Sequence, residues 1–126
     1  MPSSVKDMLA AANAAVPKIS PQDAAALMKG GNVLVVDVRD GTELQAAGKI
    51  QGAKHVARGM IEFRADPESP YHDKDFNPDK TVVVYCASGG RSALAGKTLK
   101  DMGYKDVRNL GGFKDWVESG GAVEKV

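Results

Sequence analysis

The chain has one cysteine, and its neighbours are those of a reactive thiol. Cys86 follows Val82-Val83-Val84-Tyr85 and precedes Ala87-Ser88-Gly89-Gly90-Arg91-Ser92. That order places the sulfur in the turn between a buried strand and the start of a helix. A helix start presents unpaired backbone N–H groups and the positive end of the helix dipole, and both stabilise an anion in the turn. A thiolate is such an anion. Gly89 and Gly90 leave the backbone open to close approach and permit positive φ, so the loop can curl its amides around a point that Cys86 would face. Arg91 adds a permanent positive charge, which together with the amides should lower the cysteine pKa below its free value of about 8.5. The chemistry would be nucleophilic attack by a pre-ionised sulfur. A lone cysteine is often a small buried hydrophobe, and Val-Val-Val-Tyr suits that role, but Gly-Gly-Arg does not. The reactive reading requires two things: peptide N–H groups converging on residue 86, and a side chain that water can reach.

The elements around this loop must hold it in place. Residues 33–38 form a β-branched run without polar alternation, as does the strand at 81–85, and both read as strands covered on two faces of a parallel sheet. Ser4 opens a capping box, and Val5, Met8, Leu9, Ala12 and Val16 fall on one helical face before Pro17. Ser20-Pro21 opens a second helix that Gly30 closes. Thr42-Glu43-Leu44-Gln45 reads as a further capping box, with a strand over 53–56 after Gly48. Residues 66–80 read as a surface loop. A helix is expected over 91–102, with Gly96 letting it approach a neighbour closely. A short strand follows over 107–110, and a last helix is pinned by Phe113, Trp116 and Val117. Strands alternating with helices indicate an α/β sandwich with a mainly parallel sheet, in which ligands bind beyond the carboxyl ends of the strands. Cys86 sits at that address.

Composition removes whole classes of function. At 126 residues the chain is sized for one domain. Seventeen Lys and Arg against 16 Asp and Glu give a net charge of +1 with both signs scattered, so neither nucleic acid nor an anionic membrane is an expected partner. The longest apolar run, Val82 to Ala87, falls far short of the roughly 18 residues of a membrane span. One cysteine cannot close an intrachain disulfide, and no export signal opens the chain, so a cytoplasmic location is expected.

From about Ser20 onward the chain resembles the single-domain rhodaneses, a family of sulfurtransferases. Four motifs carry the resemblance in order: Asp37-Val38-Arg39 closing the first buried strand, Gly48-Lys49-Ile50-Gln51-Gly52-Ala53, the loop from Cys86 to Arg91, and Gly111-Gly112 followed by Trp116. The resemblance implies a rhodanese-like three-layer α/β sandwich, with a five-stranded, mainly parallel sheet flanked by helices. A packing helix over 1–17 would precede a rhodanese domain over 18–126. It further implies transfer of a sulfane sulfur from a thiosulfate-like donor to a thiophilic acceptor, cyanide or a thiol, through a persulfide on Cys86. A protein acceptor is a further class of partner, and neither cofactor nor metal is expected. The amides of Ala87, Ser88, Gly89, Gly90 and Arg91 would bind substrate, while the Arg91 side chain, with Arg58, would receive the donor's sulfonate. Asp37 and Arg39 would support the loop from the neighbouring strand, although an exposed, idle Arg39 is equally compatible with the sequence.

Three positions depart from the family pattern: Lys49 stands where a His is frequent, and Gln51 and Ala57 where a Pro is frequent. All three lie between the two buried strands and leave the nucleophile intact. Two other functions compete. A non-catalytic binding module would leave Cys86 idle. A cysteine-dependent phosphatase or arsenate reductase would need five residues between Cys and Arg, one more than the four here, to cradle a tetrahedral oxyanion. His55 and His72 have no second cysteine with which to form a zinc site, and Gly96-Lys97-Thr98 lacks the first glycine of a phosphate-binding loop.

Overall fold

The computed structural model describes residues 3–126; residues 1 and 2 of the expected 1–17 segment lie outside the described residues. In chain order the elements are α1 (Val5–Ala15), α2 (Pro21–Gly30), β1 (Val33–Asp37), α3 (Gly41–Ala47), β2 (Lys49–Ile50), β3 (Lys54–His55), a 3-10 turn (Arg58–Met60), α4 (Ile61–Ala65), β4 (Thr81–Cys86), α5 (Gly90–Asp101), β5 (Asp106–Gly112), α6 (Phe113–Glu118) and β6 (Val123–Glu124). The central sheet runs β3-β1-β4-β5, and every pairing in it is parallel. This is the α/β, rhodanese-like arrangement expected, with four laddered strands instead of five. The fifth position, beside β5, holds only a single bridge between Lys18 and Asn109. Pro17, which has no N–H to donate, immediately precedes that bridge.

Period-two alternation along β4 builds the two faces of the core. Val82, Val84 and Cys86 point to the side covered by Val16, Ile61, Ala95 and Leu99, while Val83 and Tyr85 point to the side covered by Ala24, Ile50, Phe113 and Trp116. The parity of the strand therefore sends the Cys86 side chain toward α5. Gly96 brings α5 close to its neighbours as expected. A Cβ there would lie 3.1 Å from both Val16 methyls and 3.4 Å from a Val107 methyl.

Helix starts follow local chemistry. The Ser4 hydroxyl accepts the Asp7 N–H at 3.0 Å, and the Ser20 hydroxyl accepts the Asp23 N–H at 3.1 Å ahead of Pro21. Three sequence expectations are corrected. The box of α3 is Asp40 with Glu43, two residues before Thr42, because the Glu43 carboxylate reaches back to the Asp40 N–H at 2.8 Å. On α1 only Ala12 is buried, and Val5 and Met8 are exposed, since the helix meets α5 through its last turn. The strand expected over 53–56 is reduced to β3.

Sequence periodicity did not reveal the antiparallel pairing of β2 with β6, because two residues are too few to show a period. This pairing also accounts for the departures from the family pattern at Lys49 and Gln51. The Lys49 ammonium pairs with the Glu124 carboxylate and donates to the Ala53 carbonyl at 2.6 Å, and Gln51 N–H donates to the Ala122 carbonyl at 3.0 Å. The loop over 66–80 is anchored by Phe76, buried edge-on to Tyr104, and by Lys54, which pairs with Asp73 and Asp75.

Candidate functional site

β4 ends at Cys86 and α5 begins four residues later, with Gly89 as its N-cap at φ +103°. A side chain at Gly89 would be strained at that φ, and its Cβ would lie 3.3 Å from Gly111 Cα, so glycine lets the loop lie against β5. The turn aims the Gly89 N–H at Cys86 Sγ at 3.0 Å. Burial pushes the thiol pKa up, but the Ser92 hydroxyl and the backbone N–H groups of Ser92, Gly89 and Ser88 more than offset this, and the net shift is downward. The Gly89 N–H makes the backbone hydrogen bond to Sγ, and the N–H groups of Ser88 and Ser92 favour the thiolate from further away. Ser88 and Gly89 were expected among them, and Ser92 was not. The amides of Ala87, Gly90 and Arg91 are not among the largest influences on the thiol.

The second requirement is not met in the resting structure. Cys86 is 1% exposed, beneath a loop whose Ala87 and Ser88 are exposed. An open groove of about 370 Å³ runs beside that loop, lined by Ser88, Gly89 and Gly90 but not by Cys86.

Ser92 and Asn109 form a buried polar relay behind the sulfur. Asn109 Oδ1 accepts the Gly111 N–H at 2.9 Å, and Asn109 Nδ2 donates to the Gly89 carbonyl at 3.2 Å, which fixes the amide's orientation. The Ser92 hydroxyl lies 2.7 Å from that Oδ1 and 3.4 Å from Sγ. One hydroxyl proton serves one acceptor at a time. The shorter contact is to Asn109, and a thiolate would compete with that amide oxygen for the proton. Asn109 was the legible clue to this relay, as an amide two residues from Val107 and so on the same, buried face of β5.

The arginines depart most from expectation. Arg91 is held by Glu43 in a two-pronged pair at 2.7 and 2.9 Å, so a sulfonate would have to compete with that carboxylate for its guanidinium. The Arg91 guanidinium and the Cys86 thiolate attract one another, so Arg91 adds to the lowering of the thiol, behind the hydrogen bonds from the loop and Ser92. Arg58 is likewise engaged, with Glu62 at 3.3 Å and the Thr98 hydroxyl at 3.2 Å. Arg39 is neither exposed nor idle. It is 3% exposed, grips Asp37 at 2.7 Å, donates to the Gly48 carbonyl at 2.7 Å, and lies 4.3 Å over the Phe113 ring. Asp37 and Arg39 thus tie the end of β1 to the start of β2 and to α6, and they make no hydrogen bond to residues 86–91. His55 is bonded to the Arg39 carbonyl at 2.7 Å instead of to the thiol. Among the described residues, no three His, Cys, Asp or Glu side chains are grouped to hold a metal ion, and no helix is long and apolar enough to cross a membrane.

Comparison with known proteins adds an independent line. Residues 20–119 match the rhodanese-like domain. A Rhodopseudomonas palustris protein of unknown function, described as a possible tyrosine phosphatase, is 46% identical with a TM-score of 0.88, covering 98% of this chain and 99% of that one. The polysulfide-sulfur transferase homodimer of Wolinella succinogenes is 37% identical with a TM-score of 0.77, covering 96% and 87%. Thiosulfate sulfurtransferase GlpE of Pseudomonas fluorescens is 38% identical over 103 residues, 79% of this chain and 83% of that protein. The chain spans 40% and 59% of the length of two curated Bacillus subtilis relatives that it matches at 34% and 32% identity.

Proposed function

The chain belongs to the rhodanese-like domain family, and from that premise we propose that it is a sulfurtransferase that carries a sulfane sulfur as a persulfide on Cys86. The observation carrying this reading is the Gly89 N–H directed at Sγ at 3.0 Å, within a set of donors that holds the thiol pKa down. Relatives named as thiosulfate and polysulfide sulfurtransferases support the same reading.

In the first half-reaction the Cys86 thiolate attacks the outer sulfur of the donor. A new S–S bond forms, the donor's own S–S bond breaks, and its electron pair leaves on sulfite when the donor is thiosulfate. The terminal sulfur of the resulting persulfide is again an anion in a turn lined by N–H groups. In the second half-reaction cyanide or a thiolate attacks that terminal sulfur, and the electron pair of the breaking bond returns to Sγ. Because Cys86 is covered at rest, donor entry begins with displacement of residues 87–90. Asp37, Arg39 and Asn109 hold the surrounding frame.

The neighbour described as a possible tyrosine phosphatase raises a second reading. Two features weigh against it: only four residues separate Cys86 from Arg91, and Glu43 already occupies the guanidinium that a phosphate would need. Steady-state kinetics with thiosulfate and cyanide test the choice. Parallel double-reciprocal lines with thiocyanate release are expected. Phosphate release from an aryl phosphate with no thiocyanate would establish the phosphatase instead, and retention of a protein partner with neither product would establish a binding module.

A further inference from the structure

The basic side chains near the carboxyl edge of the sheet are neutralised within the fold. Arg39 is paired with Asp37, Arg58 with Glu62, Arg91 with Glu43, Lys49 with Glu124, and Lys54 with Asp73 and Asp75. An anionic donor would have to break one of these pairs or find another cation. The groove beside the loop supplies one. Lys18 lines it with Ser88, Gly89 and Gly90, is exposed, and has no carboxylate in ion-pairing distance among the described residues.

Its position is fixed. Lys18 bridges to Asn109, the Ile19 N–H donates to the Asn109 carbonyl at 3.1 Å, and the Asn109 N–H donates to the Pro17 carbonyl at 2.8 Å. The same Asn109 side chain holds the Gly89 carbonyl and meets the Ser92 hydroxyl. One residue thus couples the lysine's backbone to the loop that covers the sulfur. Asp115 also lines the groove, beside Gly112 and three residues further along β5 than Asn109, and it forms no ion pair with Lys18.

We infer that this groove is the subsite for the anionic group of the sulfur donor, a sulfonate or similar oxyanion, and that Lys18 receives it in place of Arg91 and Arg58. The inference deepens the sulfurtransferase reading and rests on it. Lys18 also precedes the segment that matches the family, residues 20–119.

The test compares Cys86 modification by iodoacetate, an anion, with that by iodoacetamide, its neutral counterpart, at low ionic strength. The iodoacetate-to-iodoacetamide rate ratio should fall about 3-fold in Lys18→Gln and about 10-fold in Lys18→Glu, with the iodoacetamide rate unchanged. Raised salt should erase the difference, and Lys18→Arg should keep the wild-type ratio. With thiosulfate, Lys18→Glu should raise KM and leave kcat unchanged. An unchanged ratio in Lys18→Glu, or a ratio that responds to Arg58→Gln instead, overturns the subsite while leaving thiosulfate turnover intact. A shifted ratio in a protein that takes up no sulfur supports the groove and overturns the functional reading.

Discussion

At Cys86 two opposing effects meet. Burial disfavours the charged sulfur, and the donors of Ser92, Gly89 and Ser88 favour it more strongly. The thiolate should therefore persist to lower pH than in an unstructured peptide. Iodoacetamide modification followed against pH should show its midpoint below the free-thiol value of about 8.5, and Ser92→Ala should move that midpoint upward and slow the reaction several-fold at neutral pH. An unchanged midpoint would show that the Ser92 proton stays on Asn109 in both ionisation states. The Glu43 carboxyl is held down to about 2 from an ordinary 4.5, by Arg91 first and by the Asp40 N–H as well. A carboxyl whose folded pKa is depressed contributes stability that is fully present above its unfolded value and is lost as pH falls through the folded value. Urea unfolding between pH 5 and pH 2 should thus show a loss of stability that Glu43→Gln makes shallower.

The elements explain why the loop could be read from sequence and the arginine partners could not. The β-branched runs, the glycine pair and the serine caps each act through neighbours in sequence, so β1, β4, α2 and α5 were legible with their ends. Glu43 meets Arg91 across 48 residues, and Lys18 meets Asn109 across a single bridge. Neither pairing leaves a local pattern. The caps were legible only to within a turn, because Asp40 and Thr42 both present a side-chain oxygen three residues before a Glu or Gln, and the backbone chose the first. At this scale Gly96 is the sensitive point. Gly96→Leu would drive a side chain into Val16 and Val107, costing roughly 1–3 kcal/mol by overpacking. Chemical denaturation should show that loss, whereas a cost near zero would mean that α1 does not press on α5 in solution.

Across the whole molecule, a parallel sheet orders the chemistry. Four strands running the same way deliver β1, β4 and the end of β5 to one edge. The parity of β4 turns Cys86 toward α5, and the Gly89 cap folds the loop over the sulfur. Charge is managed on the same scale: cations around that edge are bound to internal carboxylates, leaving backbone N–H groups and Lys18 to meet an incoming anion. The proposed role of Cys86 as a sulfur carrier is read out by intact-mass spectrometry of the chain after exposure to thiosulfate or polysulfide. A gain of one sulfur is expected, removed by cyanide and abolished by Cys86→Ser. A chain whose mass stays unchanged with either donor, while Cys86 still reacts with iodoacetamide, would contradict it.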